Sequence, residues 1–376
     1  MLTSIRLKDF KSVAEGTLPL TRLTLLIGAN GSGKSNVLEA IRLLTLIAKG
    51  ARLDDIASGM RAGDCAIRGR RSDLFRHGST RFILGCRFDD AGLNGWRDFE
   101  IAVNLSDDQL IIASEQITSQ NPGVTNAILR SLSNILFLTP HPAVMRGHAH
   151  KEDGERMRED GQNLSAILYR IAQEPERKSR LLEVLRSLHD HEVTDIQFLS
   201  NERNEVMVRL VEAFGHNSSN ADARMLSDGT LRVLAVVATL LTAPAGALVI
   251  LKDIDYNIYP GRTKSLLHQV QALAAERELH VLLAAQSPAL LDAVSEHLVR
   301  DVVVCFRDPQ DGASHLLRLG DMDNYAELVA QGPLGYLATH RILDRFVKDR
   351  RSPDQRQQEA LDWLRRHADG SAEETS

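Results

Sequence analysis

Hydrophobic residues dominate one long stretch in the second half of the chain. Residues 233–251 contain no charged side chain, and this length approaches that of a membrane-spanning helix. Pro244 and Gly246 stand in the middle of the stretch, where they interrupt a helix. The pattern therefore predicts a buried helix up to about Leu241, a tight turn and a buried strand at 247–251, rather than a membrane span.

Two other periodicities divide much of the remaining chain. Residues 82–88 and 99–105 alternate polar and apolar positions, which predicts strands of an antiparallel sheet. Apolar positions recur at helical spacing in 163–171 and 181–188, within a helical region of about 124–190. That region lacks sustained heptads, so no long coiled coil is expected. A helix is predicted at 355–367, and the polar tail at 368–376 is expected to be disordered.

A glycine-rich segment follows an apolar run of strand character at 23–27. It reads G-A-N-G-S-G-K-S at 28–35 and precedes residues with helical spacing at 36–44. A G-x-x-x-x-G-K-S loop between a strand and a helix is typical of nucleoside triphosphate binding. Its backbone N–H groups surround a phosphate, Lys34 would reach the β- and γ-phosphates, and Ser35 would coordinate Mg²⁺. The predicted nucleotide-binding residues of this loop are Asn30, Gly31, Gly33, Lys34, Ser35 and Asn36.

Composition limits the class of protein further. The 376 residues exceed the usual length of one domain, and 43% hydrophobic with 25% charged residues is typical of globular proteins. A net charge of −5 argues against a uniformly basic nucleic-acid binder and leaves room for a local basic face. The scattered Cys65, Cys86 and Cys305 indicate neither a zinc site nor a disulfide framework. With no signal-peptide pattern at the start of the sequence, a cytoplasmic location is expected.

A second motif, L-S-D-G-T at 226–230, precedes the predicted buried helix. Alone it is typical of a helix start, with a capping Ser227, an acid and a glycine. Together with the phosphate-binding loop and the helix, turn and strand that follow, it resembles the L-S-x-G-x signature of ABC-type ATPases of the SMC/RecF kind. K-D-F-K-S at 8–12 resembles the opening strand of that family. Residues 157–164 and 332–337 resemble its short single-head members in bacterial anti-phage operons.

The resemblance implies an α/β fold: an ABC-type ATPase head with a mixed or parallel core sheet, an antiparallel side sheet and an inserted helical lid. The head would comprise residues 1–120 and 195–345, the inserted helical subdomain 121–194, and the C-terminal helix and tail 346–376. The ligands would be ATP and Mg²⁺. Two heads would dimerise around them, as a homodimer or heterodimer, with the signature of one copy on the γ-phosphate held by the other. Lys11, Ser227 and Gly229 would join the nucleotide-binding residues.

The chain departs from the family where two acids normally follow the buried strand. Lys252 and Asp253 occupy those positions. Lysine cannot ligate Mg²⁺. Asp253 is one methylene shorter than the glutamate usual at the second position, and displacing a catalytic base by about 1 Å can cost on the order of a hundredfold in rate. Gln286 stands where the family usually has histidine, and glutamine cannot exchange a proton near neutral pH.

Two interpretations of these departures remain open. In one, Asp253 binds Mg²⁺ together with Ser35, and Asp255 approaches the attacking water from the same strand face. In the other, hydrolysis is slow or absent and the nucleotide controls dimerisation. We expect weak hydrolysis, with Asp253, Asp255 and Gln286 as the catalytic candidates.

A basic segment at 61–81 contains six arginines, of which Arg68, Arg70 and Arg71 are candidates for contacts with DNA phosphates. The alternative is a solvated loop whose arginines pair with acids elsewhere. The function predicted from the resemblance is a sensor or regulator of a partner effector protein, in DNA maintenance or phage defence. Two alternatives are a pseudo-ATPase scaffold that completes the site of another subunit, and a RecF-like DNA-binding module.

Overall fold

The computed structural model describes residues 1–62, 67–90, 95–107, 109–117, 122–188, 192–214, 217–254, 258, 260–349, 351–352, 354–359 and 361–362. The strands in this part of the chain are β1 (Leu2–Phe10), β2 (Val13–Pro19), β3 (Leu23–Ile27), β4 (Arg81–Asp90), β5 (Gly95–Ser106), β6 (Gln109–Ile117), β7 (Leu136–Leu138), β8 (Ala149–His150), β9 (Glu192–Ser200), β10 (Glu205–Phe214), β11 (Asn217–Asp222), β12 (Leu248–Lys252), β13 (His280–Ala284), β14 (Val303–Arg307) and β15 (Ser314–Arg318).

The helices are α1 (Lys34–Ala48), α2 (Leu53–Ala62), α3 (Pro122–Ser133), α4 (Pro142–Met145), α5 (Leu164–Ala172), α6 (Pro175–Leu188), α7 (Asp228–Thr242), α8 (Pro260–Glu276), α9 (Pro288–Asp292), α10 (Glu296–Val299), α11 (Tyr325–Ala330), α12 (Leu334–Thr339) and α13 (Ile342–Val347). Residues 354–359 and 361–362 are also helical and overlap the helix predicted at 355–367. The predicted disordered tail at 368–376 lies outside the described residues.

One sheet of eleven strands runs through the molecule in the order β6-β5-β4-β1-β2-β15-β14-β3-β13-β12-β7. The strands from β14 to β7 pair in parallel, whereas those from β6 to β2 pair antiparallel. The predicted strands at 82–88 and 99–105 are therefore confirmed as β4 and β5. They extend the same sheet that carries β3, because β15 pairs with β2 at Ser314 and Val13.

Alternation along the parallel strands fills two hydrophobic cores, one on each face of the sheet. In β12, Leu248 and Ile250 pack on the face that α1 covers, and Val249 and Leu251 pack on the face that α7 covers. A parallel strand covered on both sides needs apolar residues at successive positions. This requirement explains the uncharged run that the sequence shows before Lys252.

The helix, turn and strand predicted for residues 233–251 are confirmed. Helix α7 ends at Thr242, and β12 begins at Leu248. The turn between them contains Gly246 at φ 75°, a conformation that glycine adopts at little cost. None of the described helices combines the length and apolar character that crossing a bilayer requires.

A second, smaller sheet was not predicted. Strand β10 pairs with β9 on one edge and with β11 and β8 on the other. The segment predicted as a helical insertion, 121–194, contains α3 to α6, but it also contains β7, which pairs with β12 in the main sheet. The ends of β3, β13, β12 and β7 thus come together at one edge of the sheet, where the chemistry predicted from sequence lies.

Candidate nucleotide site

The phosphate-binding loop connects β3 to α1, as predicted. Its glycines include Gly28 at φ 150° and Gly33 at φ 112°, in the left-handed region that favours glycine. A Cβ atom on Gly28 would lie 2.1 Å from the Cys305 carbonyl oxygen, and one on Gly33 would lie 2.2 Å from the Ser314 hydroxyl oxygen. Both glycines are therefore required by backbone conformation and by close contact with the hairpin of β14 and β15.

A chain of hydroxyl groups holds the back of this loop. The Ser314 hydroxyl donates to the Ser32 carbonyl at 2.6 Å and lies 2.7 Å from the Ser12 hydroxyl. The Asn36 side-chain amide donates to the same Ser12 hydroxyl at 2.7 Å. Asn36, which the sequence assigned to nucleotide binding, thus anchors α1 to the turn between β1 and β2. The participation of Ser314 could not be predicted, because it lies about 280 residues along the chain from Ser32 and carries no motif.

Lys34 folds back over the loop that precedes it. Its ammonium group donates to the carbonyl oxygen of Ala29 at 3.0 Å and also to that of Gly28. Lys34 is 8% exposed, and this burial lowers its pKa, while the negative charge of Asp253 acts in the opposite direction. A phosphate group would give the buried ammonium an anionic partner, so the loop is prepared for a negatively charged ligand.

The other side of the loop is open to solvent. Asn30 and Gly31 are exposed, as the residues that meet a ligand must be. Ser35 lies in the first turn of α1 and lines a cavity of about 330 Å³ between α1 and the ends of β7 and β12. Of the predicted phosphate ligands, Ser35 therefore borders an accessible volume, and Asn30 and Gly31 lie at the surface.

Lys11 has a partner that the sequence did not indicate. Its ammonium group contacts the Glu39 carboxylate of α1 and donates to the Arg68 carbonyl at 2.6 Å. Glu39 is 5% exposed and also accepts a hydrogen bond from Arg68 Nε at 2.6 Å. Because a buried carboxylate needs such partners, Lys11 and Arg68 stabilise Glu39. The structure thus brings the predicted nucleotide ligand Lys11 to an acid beside the cavity.

The acid positions lie where β12 ends. Lys252 is its last residue, and the Lys252 Nζ atom lies 3.4 Å from an oxygen of Asp253. Asp253 follows the strand at φ 53°, a conformation that aspartate adopts more readily than most residues. Gln286 is exposed beyond the end of β13, the next strand in the sheet. Asp255, the other predicted catalytic acid, lies outside the described residues.

The oxygen donors expected for Mg²⁺ are compatible with that ion. Mg²⁺ usually takes one or two protein oxygens and completes its shell with water and substrate phosphates. The Ser35 hydroxyl and the Asp253 carboxylate are oxygen donors of this type, and their joint binding of Mg²⁺ stays a prediction. Lys252 stands where the family pattern has an acid. It lines the same cavity as Ser35 and therefore brings a positive charge there.

The signature segment begins α7. The Ser227 side chain caps the helix by accepting a hydrogen bond from the Thr230 N–H at 3.1 Å. Ser227 is exposed, and neighbouring Met225 is 78% exposed, which is unusual for a large apolar side chain. The helix start predicted from sequence is confirmed, and its capping residue Ser227 lies at the surface.

Two arginines connect this helix to the rest of the site. Arg146 donates to the Leu226 carbonyl at 2.9 Å and to the Asp228 carboxylate at 2.7 Å. Arg232, which is 8% exposed, donates to the Pro140 carbonyl at 2.8 Å and to the Asp253 carbonyl at 3.3 Å. Arg232 therefore links the signature helix to the segments that follow β7 and β12.

Comparison with known proteins places this arrangement in a family. The model of the family described as AAA ATPase domain matches residues 1–206, more than half of the chain. The chain belongs to the AAA ATPase domain family. A second model, for AAA domains described with the AbiEii toxin of type IV toxin–antitoxin systems, matches residues 130–292.

Individual relatives of this AAA ATPase domain support the SMC/RecF resemblance. The DNA replication and repair protein RecF is 34% identical over 109 residues in Edwardsiella ictaluri and 41% identical over 92 residues in an Anaeromyxobacter species. These matches cover 29% and 24% of this chain, and 25% and 21% of the relatives. The chain thus matches about a quarter or less of the length of these relatives.

The fold has a clear counterpart among solved structures. An SMC head bound to the C-winged helix domain of ScpA matches 84% of this AAA ATPase domain and 97% of its own chain, with a TM-score of 0.58. The two sequences are 15% identical, so the similarity concerns the fold. The predicted resemblance to SMC/RecF-like ABC-type ATPases and the predicted α/β class are confirmed.

The arginines predicted to contact DNA have different surroundings in this AAA ATPase domain. Arg68 is 69% exposed, pairs with Glu39 and lines the cavity beside Ser35. Arg71 is mostly buried and lies 3.6 Å from a carboxylate oxygen of Asp54, whereas Arg70 is exposed. The three side chains therefore do not share one environment, and their role with DNA stays a prediction.

One further group of metal-type ligands occurs in the described residues. Ligand atoms of Asp308, Asp311 and His315 lie within 4.8 Å of one another at the β14–β15 hairpin. Both carboxylates accept hydrogen bonds from the turn itself, at the N–H groups of Gln310 and Ala313. Turn stabilisation accounts for these acids.

Proposed function

We propose that the chain is an ATPase that binds ATP at the loop 28–35. The conformation of Lys34 carries this proposal, because a nearly buried ammonium group rests on two loop carbonyls, and the next residue, Ser35, lines an open cavity. A triphosphate would accept hydrogen bonds from the N–H groups of this loop and from Lys34. Membership of the AAA ATPase domain family supports the same ligand.

Mg²⁺ is proposed to bind with the Ser35 hydroxyl and the Asp253 carboxylate. When bound, the ion would neutralise charge on the phosphate oxygens and favour displacement at the γ-phosphorus. Asp253 and Gln286 are the described residues proposed to orient the attacking water, with Asp255 as a third candidate.

Hydrolysis is proposed to be slow. Lys252 stands where the family has the first of its two acids, so that position supplies no carboxylate to the ion or its water shell. Gln286 orients water by hydrogen bonding and does not accept its proton. A single turnover is therefore expected to take longer than about one second, which is slow for an enzyme.

Head-to-head dimerisation is proposed to complete the site. The Ser227 hydroxyl and the Gly229 N–H of one copy would contact the γ-phosphate held by Lys34 of the other. The exposure of Ser227 supports this proposal, since a signature that serves another copy must be accessible. The partner head is a second copy of this chain or a related chain.

In the cell, ATP-dependent dimerisation is proposed to regulate a partner effector protein, in DNA maintenance or phage defence, in the cytoplasm. The RecF relatives, which are DNA replication and repair proteins, support the first setting. The second setting rests on the resemblance of residues 157–164 and 332–337 to single-head members in anti-phage operons. The SMC head bound to a ScpA domain supports a protein partner.

A non-hydrolysing scaffold is the second candidate. The pairing of Lys252 with Asp253, at the end of the strand where the family has two acids, favours it. Such a chain would bind ATP and offer its Ser227 signature to another subunit. The RecF-like DNA module, with Arg70 as its exposed contact, has less support because Arg68 and Arg71 face acids of the same chain.

Calorimetric titration with ATP and Mg²⁺, followed by measurement of phosphate release, tests the proposal. The wild type should bind ATP and release phosphate slowly, and Lys34→Ala should lose both properties. Lys49→Ala is the matched control, because Lys49 caps the opposite end of α1. Equal ATP binding by the wild type and Lys34→Ala would refute the site, whereas binding with no turnover above Lys34→Ala would favour the scaffold.

A further inference from the structure

The position of Lys252 follows from the register of β12. Leu248 and Ile250 point to the face of the sheet that α1 covers, and side chains of a strand alternate between faces. Lys252 therefore points to the same side, and together with Ile250 it lines the cavity that contains Ser35. The strand thus delivers an ammonium group to the neighbourhood in which P-loop proteins hold their metal.

The acids that line this cavity already have partners. Glu39 is paired with Lys11 and Arg68. The Glu159 carboxylate lies 2.6 Å from an Arg42 nitrogen, and the Arg42 guanidinium stacks 3.9 Å above the Phe137 ring. Neither carboxylate is thus required to neutralise Lys252.

The ion pair of Lys252 with Asp253 is weak by comparison. Their side chains are 40% and 48% exposed, and their charged atoms are 3.4 Å apart. Solvent screens such pairs strongly, so they hold their partners loosely. Lys252 can accordingly exchange this partner for a more highly charged anion in the cavity.

We propose that Lys252 binds phosphate oxygens of ATP next to Ser35. It thus supplies positive charge that a divalent cation supplies in the sites of other P-loop proteins. ATP binding then does not require Mg²⁺, although hydrolysis does. This inference rests on the proposed binding of ATP at the loop 28–35. Because Lys252 already supplies positive charge at the phosphates, the Mg²⁺ proposed to bind Ser35 and Asp253 should change the affinity for ATP by less than about threefold.

Titration of the full chain with ATP, once with EDTA and once with excess Mg²⁺, tests the inference without any substitution. Wild-type dissociation constants should agree within about threefold, a difference below 1 kcal/mol. Lys252→Met should weaken ATP binding about tenfold in EDTA and recover with Mg²⁺. Lys252→Asp introduces the acid that the family pattern has at this position. Because its negative charge repels phosphate, this variant should bind ATP only with Mg²⁺.

Two controls separate this inference from the proposed function. Lys178→Met removes a lysine that pairs with Asp195 on another surface, and it should behave as wild type in both buffers. Lys34→Ala should lose binding in both. If wild-type binding disappears in EDTA and returns with Mg²⁺, the inference is wrong and the proposed function stands. An unchanged affinity of Lys252→Met in EDTA also overturns the inference, and absence of wild-type binding in both buffers overturns the proposed function itself.

Discussion

At the scale of single residues, two glycines of the phosphate-binding loop differ in their surroundings. Gly33 has φ 112°, and a Cβ atom there would lie 2.2 Å from the Ser314 hydroxyl oxygen and 2.7 Å from the Ser314 Cβ. Gly31 has φ 77°, and a Cβ atom there would meet no atom within 4 Å. The first position combines backbone strain with a steric clash, whereas the second has strain alone.

We therefore predict unequal effects of alanine at the two positions. Gly33→Ala should lower the free energy of unfolding by about 2–4 kcal/mol, the sum of left-handed strain and overpacking. Gly31→Ala should lower it by about 1 kcal/mol. Urea unfolding of the two variants, followed by circular dichroism, measures the difference. Equal losses would show that the contact with Ser314 does not constrain the loop.

At the scale of elements, α7 connects the signature to the acid-bearing strand. Arg232 lies one turn into this helix, and its guanidinium group donates to the Pro140 and Asp253 carbonyl oxygens. Hydrogen bonds from a charged donor contribute more than neutral ones, and a buried carbonyl left without its donor is costly. A single side chain thus fixes α7 against two strand ends.

Replacement of Arg232 by methionine retains an apolar stem and removes these hydrogen bonds. We expect a loss of about 2–4 kcal/mol in the free energy of unfolding. Amide hydrogen exchange should increase around residues 139–141 and 226–232, since both segments lose their common anchor. Mass spectrometry of exchanged peptides measures this local effect.

The matched control is Arg277→Met. Arg277 donates to the Ala243 carbonyl at 3.2 Å, beyond the other end of α7. This control should lower the free energy of unfolding by about 1 kcal/mol and leave exchange near the signature unchanged. Similar exchange of the signature in both variants would contradict a specific role for Arg232.

At the scale of the whole molecule, sequence predicts the parts whose causes are local. The phosphate-binding loop, the start of α7 and β12 follow from glycines, a capping serine and an uncharged run within short windows. The contact of Ser314 with Ser32, and the capture of Lys11 by Glu39, join distant segments through tertiary packing. Short motifs carry no information about such contacts. The small sheet of β8 to β11 was not predicted either, because its strands lie outside the segments that show clear alternation of polar and apolar residues.

The proposed dimerisation would be a property of the whole molecule, and it predicts complementation between two variants that are disabled at different motifs. Lys34→Ala disables the loop, whereas Ser227→Arg blocks the signature with a bulky charge at an exposed position. If the signature of one copy completes the loop of another, a mixed dimer contains one intact site, formed by the Ser227→Arg loop and the Lys34→Ala signature. ATP should then dimerise the mixture, although it leaves each variant monomeric alone.

Sedimentation velocity with ATP measures this outcome when one variant carries a fluorescent label. The labelled variant alone should sediment as a monomer and should shift to a dimer when the unlabelled partner is added. A dimer that holds ATP between the loop of one copy and the signature of the other requires this shift, because only the mixed pair contains one complete binding site. Arg203→Ala in place of Ser227→Arg is the control, since Arg203 is exposed in the turn between β9 and β10 and lies outside both motifs. Dimerisation of either disabled variant alone, or a mixture that stays monomeric while the wild type dimerises, would mean that the two motifs do not act across a dimer.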